Sequence, residues 1–412
     1  MTSSAMTSGT KNSKGRMPQA FRRVGVAAVA VTLLAGVAAP GVATAADTEV
    51  GRDRPELQEA MQAFVDSGST GVQLRVHDQR GEWAGSAGVR KLGEAAKPPT
   101  NGRFRVGSVT KTFTATVVLQ LVAEGTLGLD STVAGYLPQF GLDRRITVRM
   151  LLQHTSGVFN HTGDFDADGK YVPGVLWRDK EWVNYRFHTY EPEELVRLAL
   201  SKPAKFEPGT NWSYSNTNYV LARLLIEKVT GHSYAEEMQR RILRPLGLSG
   251  TVAPTTQSEI PGPHAHAYYR YEEAGQQKTV DVSRQNPSWI SSGGDMISTT
   301  QDLHKFFSAL QGGRLLPAAL LAEMRTPHPK SGDYRYGLGL FVQDLSCGVT
   351  VLQHNGGVQG YGTLMYSTPD GSKTLTASVN YVDDVPMSVA GTFPKNVQRL
   401  IDVEFCGGQP MD

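Results

Sequence analysis

Ser108 and Lys111 stand three residues apart in Ser108-Val109-Thr110-Lys111, at the head of a segment with helical apolar spacing. On a helix that spacing turns both side chains the same way. A serine hydroxyl is a poor nucleophile at neutral pH and needs a base beside it. Lysine can serve when burial lowers its pKa, because desolvation disfavours the ammonium form. The helix start adds N–H groups that favour negative charge near the serine. Alone, the pair is more simply a capping serine followed by a solvated lysine.

Two further clusters complete a constellation. Tyr214-Ser215-Asn216 lies between a Pro208-Gly209 turn and a helical pattern. On an extended segment Tyr214 and Asn216 project to one side. A tyrosine oxygen can relay the serine's proton to a leaving group, and an asparagine amide can hold a substrate carbonyl and the lysine together. The third cluster, His354-Asn355-Gly356-Gly357, ends an apolar strand pattern. Glycines there let a substrate backbone lie along a strand edge. The N–H groups of Gly357 and Ser108 can then form an oxyanion hole. Singly, the second cluster also reads as a polar cap before a core tyrosine, and the third as a Gly-rich turn.

The elements that must position these residues follow from periodicity. Alternation from Val72 to Ala87, broken by Asp78-Gln79-Arg80-Gly81, predicts a hairpin. Helical patterns dominate residues 108–245. One helix has Val118, Leu121 and Val122 on a face and stops near Gly125; another runs from Thr217 to Val229 and stops at Gly231. Strand character returns at Tyr336–Leu345, Thr350–His354, Gly362–Ser367 and Leu375–Asn380. Strands at both ends with helices between predict an α/β (α+β) fold. The sheet lobe takes about 46–125 and 285–412, a mainly helical lobe takes about 126–284, and the site lies in the cleft between them.

Composition fits such a chain: of 412 residues 40% are hydrophobic, with 44 Gly and 22 Pro, as in a turn-rich globular protein. The start differs. Lys11, Lys14, Arg16, Arg22 and Arg23 precede an uncharged stretch, Val24–Ala39, and the tripeptide Ala43-Thr44-Ala45. That order predicts a secretory signal peptide over residues 1–45, hence a secreted protein. The apolar stretch is shorter than the ~20 residues a spanning helix needs. Arg22-Arg23 also permits the twin-arginine route. Cleavage would remove five basic residues and no acidic one, turning a net charge of +2 into −3. No nucleic-acid partner is expected from that balance, and no membrane segment after cleavage. Outside the cell the two cysteines, Cys347 and Cys406, read as one disulfide contributing roughly 4 kcal/mol by loop entropy.

With these residues quoted, the chain resembles the penicillin-recognising serine hydrolases, whose three motifs are S-x-x-K, a Ser/Tyr-x-Asn element and a Lys/His-Thr/Ser-Gly element. It looks most like the secreted D-alanyl-D-alanine carboxypeptidases. The likeness extends to Ile146–Arg149, the Leu151–Gly157 turn, Tyr214–Leu225 and Asp344–Gly348. It implies a β-lactamase/transpeptidase-like fold with an antiparallel sheet. It also implies Ser108, Lys111, Tyr214, Asn216 and His354 as catalytic residues, and Trp289, Asn355, Gly356, Gly357 and Phe341 at the substrate. Cys347 and Cys406 match the family's disulfide. The implied reaction is an acyl-enzyme on Ser108, with peptidoglycan stem peptides as substrates and β-lactams as covalent ligands. No cofactor and no metal is expected, and the protein is expected to act as a monomer.

Two departures bear on substrate. The carboxypeptidase pattern His-Thr-Gly-Thr is here His354-Asn355-Gly356-Gly357, and an arginine that binds the terminal carboxylate is replaced by Phe341. Losing a charge-assisted partner costs about 1.5–3 kcal/mol. Arg335 is a candidate substitute, from another part of the strand. Phe341 and Gly357 favour another substrate, while the overall likeness keeps a D-Ala-D-Ala carboxypeptidase as the leading expectation. The alternatives are an esterase, a D-amino-acid amidase or aminopeptidase, a β-lactamase, or a non-catalytic β-lactam or peptidoglycan binder. Asp164–Gly169 opens like a calcium loop but has Val175 where a bidentate Glu is required. His264 and His266 read as a loop pair, and His154 as a turn-tying residue.

Overall fold

The computed structural model describes residues 53–166, 168–384 and 391–407; the expected signal peptide, 1–45, lies outside them. Helix α1 (Pro55–Asp66) begins with proline, whose missing N–H costs nothing in a first turn. Leu57, Ala60, Met61 and Phe64 recur at helical spacing, and all are buried. They pack on a hairpin of β1 (Ser69–Asp78) and β2 (Gly81–Gly88). Buried Arg54, bonded to Asp78 at 3.1 Å and Glu404 at 3.0 Å, fastens the start of α1 to the hairpin and to the last helix.

β3 (Tyr268–Glu273) and β4 (Gln276–Asp281) make a second hairpin. The chain then supplies β5 (Phe341–Asp344), β6 (Thr350–Gln353), β7 (Gly356–Val358), β8 (Tyr361–Ser367) and β9 (Thr374–Asp384). Their order is β2-β1-β9-β8-β6-β5, with β7 also paired to β8 and β3 joined to β9. N- and C-terminal strands thus meet in the middle: Leu74 on β1 stands opposite Ala377 on β9. All these pairs are antiparallel except β3–β9. The β3–β4 hairpin falls in a stretch expected to be mainly helical. The expected strand Tyr336–Leu345 shortens to Phe341–Asp344, because Arg335 (φ 49°) and Gly339 (φ 86°) take left-handed backbone that no strand continues through.

Helices cover both faces of the sheet. On one side α1 and α5 (Phe393–Phe405) pack over β1 and β9, and a Cys347–Cys406 disulfide ties the end of α5 to the β5–β6 connection. On the other lie α2 (Thr110–Ala123), α3 (Asn216–Thr230) and α4 (Thr300–Gln311). α2 is buried on all sides rather than along the single face expected, with Phe113 stacked on Phe306 of α4 at 3.6 Å. Its threonines keep the burial tolerable. Thr112 donates to Gly339 O at 2.8 Å and Thr116 to Thr112 O at 2.8 Å, so no hydroxyl there loses its partner. Among the described residues no helix is long and apolar enough to cross a membrane.

Candidate active site

Ser108 sits in a tight 3-10 turn, Gly107–Val109, that runs directly into α2. Gly107 makes the turn possible. It holds φ 54°, and a Cβ there would lie 2.6 Å from the nitrogen of Gly357. Gly356 meets the same turn from β7, where a Cβ would fall 1.9 Å from Val106 O and 3.0 Å from Ser108 N. Glycine at both positions lets the strand edge and the serine turn touch, bringing the N–H groups of Ser108 and Gly357 to one rim.

Lys111 lies one helical turn on and is fully buried. Its Nζ is 3.2 Å from Ser108 Oγ, 2.6 Å from Asn216 Oδ1 and 2.6 Å from Gly293 O. Desolvation holds its pKa well below the ordinary lysine value, against the pull of Asp295. A neutral amine has two N–H groups and one lone pair. The two short contacts to carbonyl oxygens use both N–H groups, which leaves the lone pair for the serine hydroxyl. Asn216 is held in turn, its Nδ2 donating to Thr162 Oγ1 at 3.1 Å and its N–H to Asn160 Oδ1 at 3.0 Å.

Tyr214 completes the group. Its phenol faces Ser108 closely enough that the serine tempers its pKa, and its ring centroid lies 4.7 Å from Lys111 Nζ. Burial pushes its pKa far up, so it stays a neutral phenol. Beneath it lies His154, held at φ 64° with ring centroids 4.3 Å apart. His154 Nδ1 accepts from Ser215 N at 3.2 Å and faces Asn218 Nδ2 at 3.1 Å. His154 thereby ties its turn to the Tyr214 segment, a link its sequence context did not show.

The third motif divides. Gly356 and Gly357 line the cleft beside Ser108. His354 is buried behind them, its Nε2 3.2 Å from the Tyr336 hydroxyl and its Nδ1 2.8 Å from Asn355 O. Burial and Lys111 lower its pKa to about 3, so it is a neutral ring. The side chain of Asn355 turns away from the cleft, Nδ2 donating to the Tyr366 hydroxyl at 2.7 Å. Phe341 packs edge-on against Tyr336 and His354, with centroids 4.5 and 5.1 Å away. Arg335 is paired with Asp344 on the surface. The structure therefore brings Ser108, Lys111, Tyr214, Asn216, Gly356 and Gly357 together and leaves Asn355 and Phe341 outside the cleft lining.

The cleft itself has a volume of about 460 Å³. Its walls are largely aromatic and aliphatic: Trp177, Trp289, Ile290, Val358, Tyr381 and Phe393. Trp289 is fixed from both ends, Nε1 to Gln285 Oε1 at 3.3 Å and its carbonyl to His161 Nε2 at 3.0 Å. Among the described residues the charged lining consists of Arg178, Asp383 and Asp384. Sequence reasoning missed Gly293 O, Thr162 and Asp295. The first two act through tertiary approach alone. Asp295 is buried, and desolvation pushes its pKa up to about 7.

A model of the beta-lactamase family matches residues 57–392. A penicillin-binding protein of Bacillus subtilis (strain 168) is 28% identical over 310 residues, covering 73% of this chain and 65% of the relative. The chain spans less than two thirds of the length of the curated relatives it matches, 53% of a second Bacillus subtilis protein. Among solved structures, a D-stereospecific amidohydrolase from Streptomyces sp. aligns with TM-score 0.76 at 39% identity, over 87% of this chain and 100% of its own. The D-amino acid amidase of Ochrobactrum anthropi SV3 aligns with TM-score 0.71 at 24% identity, over 84% of this chain and 97% of its own. That second likeness speaks to fold.

Proposed function

This chain belongs to the beta-lactamase family of penicillin-recognising serine hydrolases, and we propose that within it the protein is an amidohydrolase for acyl groups of D-amino acids, releasing an amine in preference to a free D-amino acid. In the proposed cycle Ser108 Oγ attacks the substrate carbonyl while Lys111 Nζ accepts its proton. The N–H groups of Ser108 and Gly357 hold the oxyanion. Tyr214, a neutral phenol against Ser108, delivers a proton to the leaving nitrogen and is recharged through Lys111. Water then attacks the acyl-enzyme by the reverse proton path. The mainly aromatic cleft suits an apolar or aromatic side chain on the acyl residue.

The observation that carries the leaving-group preference is the β5 edge. A leaving D-amino acid brings a carboxylate that needs a cation. At that edge Phe341 packs on His354 and Tyr336 behind the lining, Arg335 is occupied by Asp344, and the cation that does line the cleft, Arg178, lies over the Trp177 ring at 4.6 Å and interacts with Asp383. The amidohydrolase at 39% identity supports the same reading. The second reading, D-Ala-D-Ala carboxypeptidase, draws on the resemblance of the three motifs and on the penicillin-binding relative.

Initial rates on a D-phenylalanine amide or anilide, its L enantiomer and an acylated D-Ala-D-Ala acid separate the two. The proposal expects the D-amide to be cleaved well above both others. Preferential release of D-alanine from the acid would overturn it in favour of the carboxypeptidase.

A further inference from the structure

Away from the cleft, the β1–β2 hairpin and α4 gather three side chains that the proposed reaction does not use. His77 on β1 stands opposite Glu82 on β2, and opposite Thr374 on β9 on its other side. His304 projects from α4 over this row, its ring 4.8 Å from that of His77 and tilted by 32°. One ligand atom from each of His77, Glu82 and His304 lies within 4.8 Å of the other two. All three residues are partly buried, so a bound ion would keep access to water.

Each ligand is oriented by its surroundings. His304 Nδ1 lies 2.7 Å from Thr374 Oγ1; in the tautomer that donates there, Nε2 carries the lone pair. His77 Nδ1 is buried with no hydrogen-bond partner among the described residues. Glu82 is steadied through Oε1 by Arg75, and Arg75 is itself held against Thr300 Oγ1 at 3.4 Å. The second carboxylate oxygen of Glu82 remains for coordination. None of the three residues lines the cleft beside Ser108.

We propose that His77, Glu82 and His304 form a binding site for a divalent transition-metal ion of the zinc class, clamping the β1–β2 hairpin to α4. Two imidazoles and a carboxylate suit zinc, nickel or copper better than calcium or magnesium, which prefer all-oxygen shells. Zinc bonds of about 2.0–2.1 Å set ligand atoms about 3.4 Å apart. The cluster therefore closes slightly on binding, by side-chain rotation at a surface that permits it. The contact to Thr374 is the outer support that fixes a ligating ring. Water fills the fourth position.

Zinc chloride titrated calorimetrically into the metal-free full-length protein tests this. The expected result is one Zn²⁺ per chain with a micromolar dissociation constant, and a melting temperature raised by zinc and lowered again by a chelator. His304→Ala and Glu82→Gln should each abolish or strongly weaken binding while circular dichroism stays native. Thr374→Val should weaken it about 10–100-fold. His266→Ala provides the control, because His264 and His266 make another ring pair at 5.2 Å, with Asp281 bonded to His266 at 2.5 Å. That variant should bind zinc as wild type does. Absence of zinc binding by wild type, or binding lost in His266→Ala and kept in folded His304→Ala and Glu82→Gln, overturns the proposal.

Discussion

On the helix side of Ser108, Lys111 and Asn216 hold each other at 2.6 Å and are gripped from two distant segments, Lys111 by Gly293 O at 2.6 Å and Asn216 by Thr162 at 3.1 Å. On the strand side, the groups that should greet a substrate are turned inward, His354 to Tyr336, Asn355 to Tyr366 and Phe341 onto two rings. The first region carries bond-making chemistry and admits little change, since a buried amine needs its acceptors at fixed positions. In the proposed function the second sets which leaving group is accepted, and there side chains can be exchanged while the strand and its N–H groups stay. The proposed function thus assigns reaction type and substrate class to different elements, α2 and α3 for one, β5 to β7 for the other.

The largest expected effect breaks the first region. Lys111→Ala should lower kcat/KM for a D-amino-acid amide by about 10²–10⁴-fold with native circular dichroism, the range of a lost general base. A loss under threefold would remove Lys111 from the mechanism. Next, Phe341→Arg should sharpen the second region. By supplying a cation it should shift the ratio of acid to amide cleavage by about 10–150-fold, matching the 1.5–3 kcal/mol of a charge-assisted bond. An unchanged ratio would mean that β5 does not meet the leaving group.

Acidity separates the regions again. His154, His354, Asp295 and Tyr214 surround Lys111, and its pKa is held well below 10.5 by burial. Its working form is the deprotonated one, so kcat/KM should rise with pH, about tenfold per unit on the acid limb, and level off well below 10.5. A profile that keeps rising to pH 10.5 would contradict a desolvated amine. The smallest effect belongs to Asn355→Ala. It should cost about 1 kcal/mol of stability in urea unfolding, from the bond to Tyr366, and change kcat/KM less than threefold.

How much of this could be read from the chain follows the same division. Ser108, Lys111, Tyr214 and Asn216 were legible because each pair is local, placed by one turn or one extended step. The hairpin Val72–Ala87 and helix Thr217–Val229 lie within β1–β2 and α3 for the same reason, their periodicity being unbroken. Gly293 O and Thr162 left no trace in the pattern, since only packing of remote segments brings them to Lys111 and Asn216. Asn355 was expected at the substrate by its place in a motif. Its true orientation depends on Tyr366, a neighbour across the sheet that no spacing rule supplies. The β3–β4 hairpin was missed although its pairing is local, because its strands are mostly polar, β4 being largely exposed, and carry no apolar alternation.

Ser108 as a nucleophile activated by a neutral amine can be tested most directly by covalent labelling. Intact-mass spectrometry after exposure to a penicillin should show one added mass equal to the whole antibiotic, mapped to the peptide bearing Ser108. That adduct should be absent from Ser108→Ala and should form far more slowly in Lys111→Ala. An adduct that persists in Ser108→Ala, or that forms at the wild-type rate in Lys111→Ala, would contradict it.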